Sequence, residues 1–342
     1  MSKTKIEWAE ETINPQRGCT KAGAGCTHCC ALGTTYRQQF NKSLPDDVRE
    51  ASATCTEKAN GVIRWTGRIV PVESHLEKLG PLRNARKPRR IFVGSLADLF
   101  HENADLDYVN RIFGRMASAP QHRFIVATKR PSRALQYCRE YGLMPPCPSG
   151  EHWPDNVIPL VSIWDQDSAD RLIPLLLQIP AKVRGVSVEP MLGPVNFRWT
   201  DYAYRASGET YREYLERNKG MNHLEALKYI DWVICGGESG PGARPMHPDW
   251  ARSLRDQCVG AGVPFAFTGW GEWGPLTGPH GTHTGDVCLS PDGFVDVAEP
   301  DYVCFANESD GAHLRRVGKR LAGRLLDGQT WDQYPEAPHA MA

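Results

Sequence analysis

Three cysteines and a fourth directly behind them lie in one short glycine-rich segment, "GCTKAGAGCTHCC" at 18–30. Cys19, Cys26 and Cys29 have the spacing C-x6-C-x2-C, and Cys30 follows at once. Glycines let such a segment fold back tightly, so that thiol groups from one loop can converge. Thiolates are soft ligands that suit zinc and iron–sulfur clusters. The segment therefore predicts a metal centre.

Three interpretations of these thiols compete. A structural zinc site needs four ligands and would recruit Cys30, His28 or Cys55. In the second interpretation the cysteines bind no metal and are simply buried in the core, although a polar, glycine-rich loop is a poor place to bury thiols. The third, which we favour, is an iron–sulfur cluster held by three cysteines, with one iron open to a substrate or cofactor. Because adjacent residues of extended backbone point to opposite sides, we expect Cys29 rather than Cys30 to be the third ligand.

The composition is that of a large folded chain without net charge. Its 342 residues include 40 Lys and Arg against 40 Asp and Glu, so that only a local basic patch would attract nucleic acid. No run of about 18 apolar residues is present, so the sequence predicts no membrane span. The N-terminal stretch "MSKTKIEWAEETINPQ" lacks the apolar region of a signal peptide. We therefore expect a cytoplasmic protein with reduced thiols and no membrane partner.

Short apolar runs alternate with helical segments after the cysteine loop. Strands are predicted within 89–100, 122–131, 157–164, 183–192, 230–240 and 263–273, and helices at 105–118, 131–142, 167–178 and 248–262. Nearly continuous apolar strands that alternate with helices are typical of a parallel sheet covered by helices. At least six such units favour an α/β fold of the partial or complete (β/α) barrel type.

The predicted barrel spans 1–275, and two regions within it look like insertions, at about 34–88 and 196–228. The first insertion ends in the basic stretch "RNARKPRR", and the second mixes aromatic residues with arginines. Residues 276–342 form a C-terminal extension that we expect to pack on the barrel. Its segment "AHLRRVGKRLAGRLL" at 312–326 is predicted to be a basic helix.

Polar residues follow the predicted strands. They are Ser95 and Asp98, Lys129 and Arg130 after Thr128, Ser162 and Asp165, Ser187 and Glu189, and Glu238 and Ser239. In barrels the C-terminal ends of the strands build the active site. Any one of these residues could instead cap the next helix, but five polar strand ends together with a cysteine loop favour a functional site.

The three-cysteine loop followed by βα units resembles the radical S-adenosylmethionine (radical SAM) superfamily, whose usual spacing is C-x3-C-x2-C. More closely, the chain resembles a family of phage and prophage proteins of unknown function, with a further resemblance to the radical SAM isomerase of phage thymidine hypermodification. The matching segments cover most of the chain in order: "IEWAEETINPQRGCTKAGAGCTHC", "FVGSLADLFHE", "ATKRPSR", "GVSVEP", "IDWVICGGESGPGARPM", "GVPFAFTGWGEW" and "GKRLAGRLLDGQTWDQYP".

The first gap of the cysteine motif is longer than usual, and the chain departs from the family pattern at two further places. An aromatic residue usually follows the last cysteine and packs near the adenine, and this chain has Cys30 there. The family often has Lys-Gln before a Trp-Gly pair near the last strand, where this chain has Thr268 and Gly269 before Trp270. The second departure replaces a charged contact and indicates a specialised substrate.

The resemblance implies that Cys19, Cys26 and Cys29 bind a [4Fe–4S] cluster whose open iron is chelated by the amino and carboxylate groups of S-adenosyl-L-methionine (SAM). One electron from an external donor then cleaves SAM, and the 5′-deoxyadenosyl radical abstracts a hydrogen from the substrate. The protein's own contribution is to position the reactants and exclude water.

The resemblance also implies roles for the strand-end residues, although it gives no catalytic residue. Ser95 and Asp98 occupy the place where the superfamily contacts the SAM amino group. Either Lys129 or Arg130 is expected to pair with the SAM carboxylate, because a cation matches that group. Ser187 and Glu189 are candidates for the ribose hydroxyls, and Glu238, in the glycine-rich "GGESG", is expected to face a ligand.

A phage setting suggests DNA that carries modified thymidine as the substrate, in the host-cell cytoplasm. The implied reaction is the isomerisation of an N-linked glycyl-thymidine to its C-linked form. The enzyme would need a flipped or single-stranded base, cations for the backbone and aromatic residues for stacking, which 83–90 and 196–228 offer. The alternatives are a radical SAM enzyme of nucleic-acid repair or other base modification and, in another class, a zinc-stabilised nucleic-acid-binding protein.

Overall fold

The computed structural model describes residues 2–144, 152–197, 227, 229–276, 283–298 and 311–335. Most of the predicted insertion at 196–228 lies outside these residues. The chain divides into two compact units, Met1–Ser162 with Leu175–Gly185, and Ile163–Pro174 with Val186–Ala342. None of the helices in the described ranges combines the length and the apolar character that crossing a bilayer requires.

The elements of the first unit alternate between a parallel sheet and helices, with small strands and helices between β2 and β7. In chain order they are β1 Ser2–Lys3, β2 Glu11–Ile13, β3 Gln16–Arg17, α1 Cys30–Gln38, α2 Asp46–Cys55, β4 Thr56–Ala59, β5 Val62–Trp65, β6 Val70–Pro71, α3 Glu73–Glu77, β7 Arg90–Val93, α4 Leu106–Ala117, β8 Arg123–Thr128, α5 Pro131–Glu140 and β9 Val157–Ile163.

The strands β2, β7, β8 and β9 pair in parallel and in that order, and β1 pairs antiparallel to β2. Every residue of β9 is buried, as expected for a strand covered on both faces. The predicted strands at 89–100, 122–131 and 157–164 each contain one of these elements, so the apolar runs located them correctly.

Helix α4 shows why the predicted helices form. Asp105 caps its N-terminus by accepting a hydrogen bond from the backbone N–H of Asp107 at 2.9 Å. The buried residues Val109, Ile112 and Met116 recur at helical spacing and form an apolar stripe. The apolar periodicity and the N-terminal cap therefore both stabilise a helix within the predicted range 105–118.

The region 34–88, predicted to be an insertion, has folded structure of its own. Val48 and Ala51 of α2 pack with Val72 in a small core, and a hairpin of β4 and β5 follows. The hairpin turns at Asn60 and Gly61, which both have positive φ angles, as a two-residue Asn-Gly turn requires.

The second unit also contains parallel strands and then adds an antiparallel sheet. Its elements are α6 Gln166–Leu176, β10 Gly185–Val188, β11 Trp232–Gly236, α7 Pro248–Ala261, β12 Phe265–Gly269, β13 Trp273–Pro275, β14 Val287–Leu289, β15 Val295–Val297, β16 Ala312–Arg316 and α8 Lys319–Ala322. A few residues of α6 and β10 fall on the first unit's side of the boundary. The strands β11 and β12 are parallel, and the small sheet has the order β13-β16-β14-β15.

The prediction of a basic helix at 312–326 is wrong. Residues Ala312–Arg316 form the strand β16, which pairs with both β13 and β14, and only Lys319–Ala322 are helical. Gly318, with φ of 85°, separates the two elements. The two strand partners satisfy the backbone groups that a helix would otherwise have paired internally, which is information that the local sequence does not contain.

The main sheet has eight strands in the order β1-β2-β7-β8-β9-β10-β11-β12. The predicted α/β fold of the partial or complete (β/α) barrel type is therefore confirmed.

His75 gives the first unit a predicted dependence of stability on pH. Burial lowers its pKa to about 4, with Arg17 as a second cause, although its Nδ1 lies 2.9 Å from the Asn14 carbonyl oxygen. A histidine in the unfolded chain titrates near 6.5, so the fold favours the neutral ring. Its contribution is complete above about pH 6.5 and is lost as the pH falls toward 4.

We expect the free energy of unfolding of wild type to fall between pH 7 and pH 5 by about 1 kcal/mol more than that of His75→Asn. Urea denaturation at the two pH values measures it, with His152→Asn, at an exposed position, as the control. Equal slopes for wild type and His75→Asn would show that this imidazole does not carry the effect.

Candidate metal centre

The cysteine loop runs from the end of β3 to the start of α1. Cys26 lies in a 3-10 turn, Cys29 immediately precedes α1, and Cys30 is the first residue of that helix. The thiols of Cys19, Cys26 and Cys29 are free, half-buried and line one cavity, whereas Cys30 is exposed and does not line it. The fold thus brings together the three cysteines chosen from their spacing.

Gly18 fixes the start of the loop. It forms a parallel bridge with Ala97, and its φ is 105°, a region that side chains strongly disfavour. A Cβ atom at Gly18 would lie 2.0 Å from the carbonyl oxygen of Arg68 and 3.0 Å from Sγ of Cys55. The loop therefore begins in a space that only glycine fits.

Burial controls the ionisation of the thiols. It raises the pKa of Cys19 to about 12; the nearby Asp98 raises it further, and Arg130 opposes both. Burial also raises the pKa of Cys29. Because metals bind thiolates, binding of a metal centre by these cysteines would release protons from them.

The donor set fits a cluster better than a single ion. Within the described ranges, no three His, Cys, Asp or Glu side chains are close enough to hold one metal ion. Structural zinc requires four donors around one point. A four-iron cluster takes each thiolate on a different iron, so its ligands stand around a space. Three free thiols around one cavity match that requirement.

Asp98 organises the loops that follow β7 and β8. Its Oδ1 accepts hydrogen bonds from Thr128 Oγ1 at 2.7 Å and from the Phe100 backbone N–H at 3.0 Å. Its Oδ2 accepts from the Lys129 backbone N–H at 3.0 Å and from Arg130 Nη1 at 3.1 Å. Four donors already bind this buried carboxylate, so Asp98 holds these loops together. Asp98 also lines the cavity, and its expected contact with the SAM amino group stays a prediction.

The two neighbouring cations, Lys129 and Arg130, differ in their environments. Arg130 is buried and forms ion pairs with Asp98 and Glu102. Burial alone would lower the pKa of Arg130, but Asp98, Cys19 and Glu102 together raise it. Both residues line the cavity, but the Lys129 side chain has no hydrogen-bond or ion-pair partner within the described part of the chain.

Ser95 also lines the cavity, and its hydroxyl donates to Oδ1 of Asn14 at 3.1 Å. The same Asn14 oxygen accepts from the Leu96 backbone N–H at 2.7 Å, which fixes the loop after β7. A hydroxyl that donates in this way still has lone pairs to accept a hydrogen bond from a ligand. Ser95, Lys129 and the three cysteines thus share one cavity.

Ser187, Glu189 and Glu238 lie in the second unit. Glu189 accepts hydrogen bonds from Ser187 Oγ at 3.0 Å and from Thr268 Oγ1 at 2.7 Å. A Cβ atom at Gly236 would lie 2.1 Å from that Thr268 oxygen, so glycine permits the contact. Thr268, at the position where the family often has lysine, therefore meets Glu189 as a neutral donor.

The buried Glu238 carboxylate is bound by Arg244. It accepts from Arg244 Nε at 2.8 Å, from Nη2 at 2.7 Å and from the backbone N–H at 2.9 Å. Such a bidentate pair fixes the glycine-rich turn after β11. The ligand-binding roles expected for Ser187, Glu189 and Glu238 remain predictions.

Several residues that lie around the cavity of the three cysteines were not identified from the sequence. Trp65 and Phe92 line it, and Thr20 and Glu102 bind Arg130. The Asn-Gly pair at 60–61 is a hairpin signal that would have placed Trp65 on a strand. No local pattern marks Thr20 or Glu102, because their partner is distant in the sequence.

The family described as "Protein of unknown function (DUF5131)" matches residues 3–335. No curated protein matches the chain. Solved structures of spore photoproduct lyase are similar to it at 12% identity, over 82% of this chain and 68% of theirs. TM-scores are 0.34 for a single mutant, 0.37 for a mutant with dinucleoside spore photoproduct, and 0.34 for a double mutant with bound AdoMet and that product.

A structural likeness this remote decides nothing about activity. The family match, by contrast, extends over nearly all of the sequence. The chain therefore belongs to the DUF5131 family, whose function is unknown.

Proposed function

We propose that this protein is a radical SAM enzyme that acts on modified DNA. The observation that carries the proposal is the single cavity lined by the thiols of Cys19, Cys26 and Cys29 together with Ser95 and Lys129. The resemblance of the cysteine loop and of the strand-end segments to radical SAM proteins supports it. When bound, a [4Fe–4S] cluster and SAM would supply a 5′-deoxyadenosyl radical that abstracts hydrogen.

The protein's residues would bind and orient SAM. Lys129 is the better candidate for the SAM carboxylate, because all five N–H groups of Arg130 already have acceptors in the protein. The Ser95 hydroxyl would accept a hydrogen bond from the amino group. Trp65 and Phe92, which line the cavity, would contact the adenine in place of the aromatic residue that the chain lacks at Cys30.

For the substrate we propose N-linked glycyl-thymidine in phage DNA. Abstraction of a hydrogen atom from the glycine α-carbon leaves a radical stabilised by the neighbouring nitrogen and carboxylate. The thymine methylene then moves from nitrogen to that carbon, so that a C–N bond breaks and a C–C bond forms. The resulting nitrogen radical takes up one hydrogen atom, either back from 5′-deoxyadenosine or as one electron and one proton supplied by the external reductant and water. The substrate is thereby isomerised with no atom gained or lost, and 5′-deoxyadenosine accumulates only by the second route.

Contact with DNA would use the basic stretch 83–90. Arg83, Arg86 and Lys87 are exposed, whereas Arg89 is half-buried and pairs with Glu11 at 3.2 Å. Exposed cations bind phosphates without regard to sequence, which suits an enzyme whose specificity lies in the modified base. The base itself must leave the stack to reach the cavity.

The test is anaerobic reconstitution with iron and sulfide, followed by incubation with SAM, a reductant and phage DNA that carries the modified thymidine. We expect a brown protein, 5′-deoxyadenosine, and conversion of the N-linked nucleoside to an isomer of equal mass, separated by chromatography and told apart by fragmentation.

Cleavage of SAM without a change in any thymidine adduct would reject the isomerase and retain the radical chemistry. A colourless protein that holds stoichiometric zinc and cleaves no SAM would reject the enzyme in favour of a zinc-stabilised nucleic-acid binder.

Lys129→Met is expected to weaken SAM binding to the reconstituted protein about tenfold, because a charge-assisted hydrogen bond contributes about 1.5 kcal/mol or more. Equilibrium dialysis gives the dissociation constant, and Lys129→Arg should restore part of the affinity. Lys87→Met removes an exposed lysine that does not line the cavity and serves as the control. An unchanged dissociation constant for Lys129→Met would remove this lysine from the SAM site.

A further inference from the structure

Arg130 is bound through its entire guanidinium group. Nε donates to both oxygens of Glu102 at 2.8 Å. Nη1 donates to Asp98 Oδ2 at 3.1 Å and points to Sγ of Cys19 at 3.8 Å. Nη2 donates to the carbonyl oxygen and to Oγ1 of Thr20, at 3.1 and 2.8 Å. A guanidinium has five N–H donors, and these contacts use all five.

The contacts of Arg130 join two separate parts of the first unit. Asp98 and Glu102 follow β7 and Arg130 itself follows β8, so these ion pairs join the loops after two neighbouring strands of the sheet. Cys19 and Thr20 belong to the cysteine loop, which supplies the sulfur and two oxygen acceptors. Nε2 of His101 adds a further contact to Thr20 Oγ1 at 2.9 Å.

We infer that Arg130 is a positioning residue of the cysteine loop, which holds Cys19 in place and raises the reduction potential of a cluster bound there. The inference rests on the proposed function, because it concerns the cluster. A reduced cluster carries one more negative charge than an oxidised one. A buried guanidinium that donates to a ligating sulfur stabilises the extra charge, and hydrogen bonds to sulfur are a known determinant of cluster potential.

This role differs from the one expected from the sequence, in which Arg130 was an alternative to Lys129 for the SAM carboxylate. A guanidinium without a spare donor has none to offer a ligand. The planar fork also explains why arginine stands here, because the compact ammonium of lysine cannot reach Glu102, Asp98 and Thr20 at once.

The experiment compares Arg130→Met, Arg130→Lys and wild type as full-length, reconstituted proteins. We expect Arg130→Met to bind iron but to have a more negative midpoint potential and an altered electron paramagnetic resonance signal of the reduced cluster. Arg130→Lys keeps the charge and should recover part of the shift. Arg133→Met is the matched control, because Arg133 lies on α5 and its Nη2 contacts the Ala104 carbonyl oxygen at 3.4 Å.

A second measurement needs no cluster. Amide hydrogen exchange of residues 18–29 in the metal-free protein should be faster in Arg130→Met than in Arg133→Met, since the first variant loses the anchor of Thr20. If Arg130→Met does not fold, Arg130→Lys carries both measurements, with smaller changes in the same directions.

The inference would be overturned if a folded Arg130 variant had the same midpoint potential, the same electron paramagnetic resonance signal and the same amide exchange in the cysteine loop as wild type. That outcome would leave the proposed function intact. A wild-type protein that assembles no [4Fe–4S] cluster would overturn the proposed function, together with the part of the inference that concerns the potential.

Discussion

Cys29→Ala is expected to abolish cluster binding and with it all cleavage of SAM, whereas Cys30→Ala keeps both. The two residues are adjacent, but the fold separates their environments: Cys29 is half-buried and lines the cavity, and Cys30 is exposed. Residues that only support a metal ligand cost up to about 100-fold in affinity when replaced, so the loss of a ligand should cost more.

The measurement is iron and sulfide per chain after anaerobic reconstitution, with 5′-deoxyadenosine as the second readout. Circular dichroism of the metal-free proteins checks that both variants fold. If Cys30→Ala loses the cluster as completely as Cys29→Ala, the assignment of the third ligand is wrong. If neither variant loses it, the three-cysteine centre itself is wrong.

Gly18→Ala is expected to destabilise the first unit by about 3 to 5 kcal/mol and to prevent cluster assembly. The left-handed backbone accounts for about 1–2 kcal/mol. The remainder comes from the Cβ atom, which would lie 2.0 Å from the Arg68 carbonyl oxygen. A backbone carbonyl cannot rotate out of the way as a side chain can, so the start of the cysteine loop must move and take Cys19 with it.

Gly61→Ala is the matched control for Gly18→Ala. Gly61 also has a positive φ, of 80°, but a Cβ atom there would meet nothing within 4 Å. It should therefore cost only the backbone strain, about 1–2 kcal/mol, and leave the cluster in place. Urea denaturation followed by circular dichroism gives both values. Equal losses for the two variants would show that the close approach of Arg68 has no energetic consequence.

Local patterns in the sequence predicted much of this protein. Six apolar runs located the strands β7 to β12, although the predicted ranges extend several residues beyond the strands. Helical periodicity located the helices α4 to α7. The spacing of the cysteines selected Cys19, Cys26 and Cys29, which the fold does bring to one cavity. The strand and helix predictions succeeded because each depends on residues close together in the chain, whose periodicity and backbone preferences act locally. The assignment of the three cysteines as cluster ligands stays a prediction.

Predictions failed or stayed open where distant residues decide. The helix predicted at 312–326 is mainly a strand, because β13 and β14 supply its hydrogen bonds. The sequence offered Lys129 and Arg130 as equivalent cations, and only the fold shows that Arg130 is bound by acidic residues and by Thr20.

The sequence by itself thus determined the strands β7 to β12, the helices α4 to α7 and the choice of three thiols that meet at one cavity, since periodicity, turn residues and motif spacing are properties of short segments. Tertiary structure alone decided which polar groups are already bound by others and which face the cavity. The contact between Arg130 and Cys19 spans 111 positions. A side chain's donors and acceptors are satisfied by whatever the fold places beside them, and that neighbour is set by the packing of the whole unit.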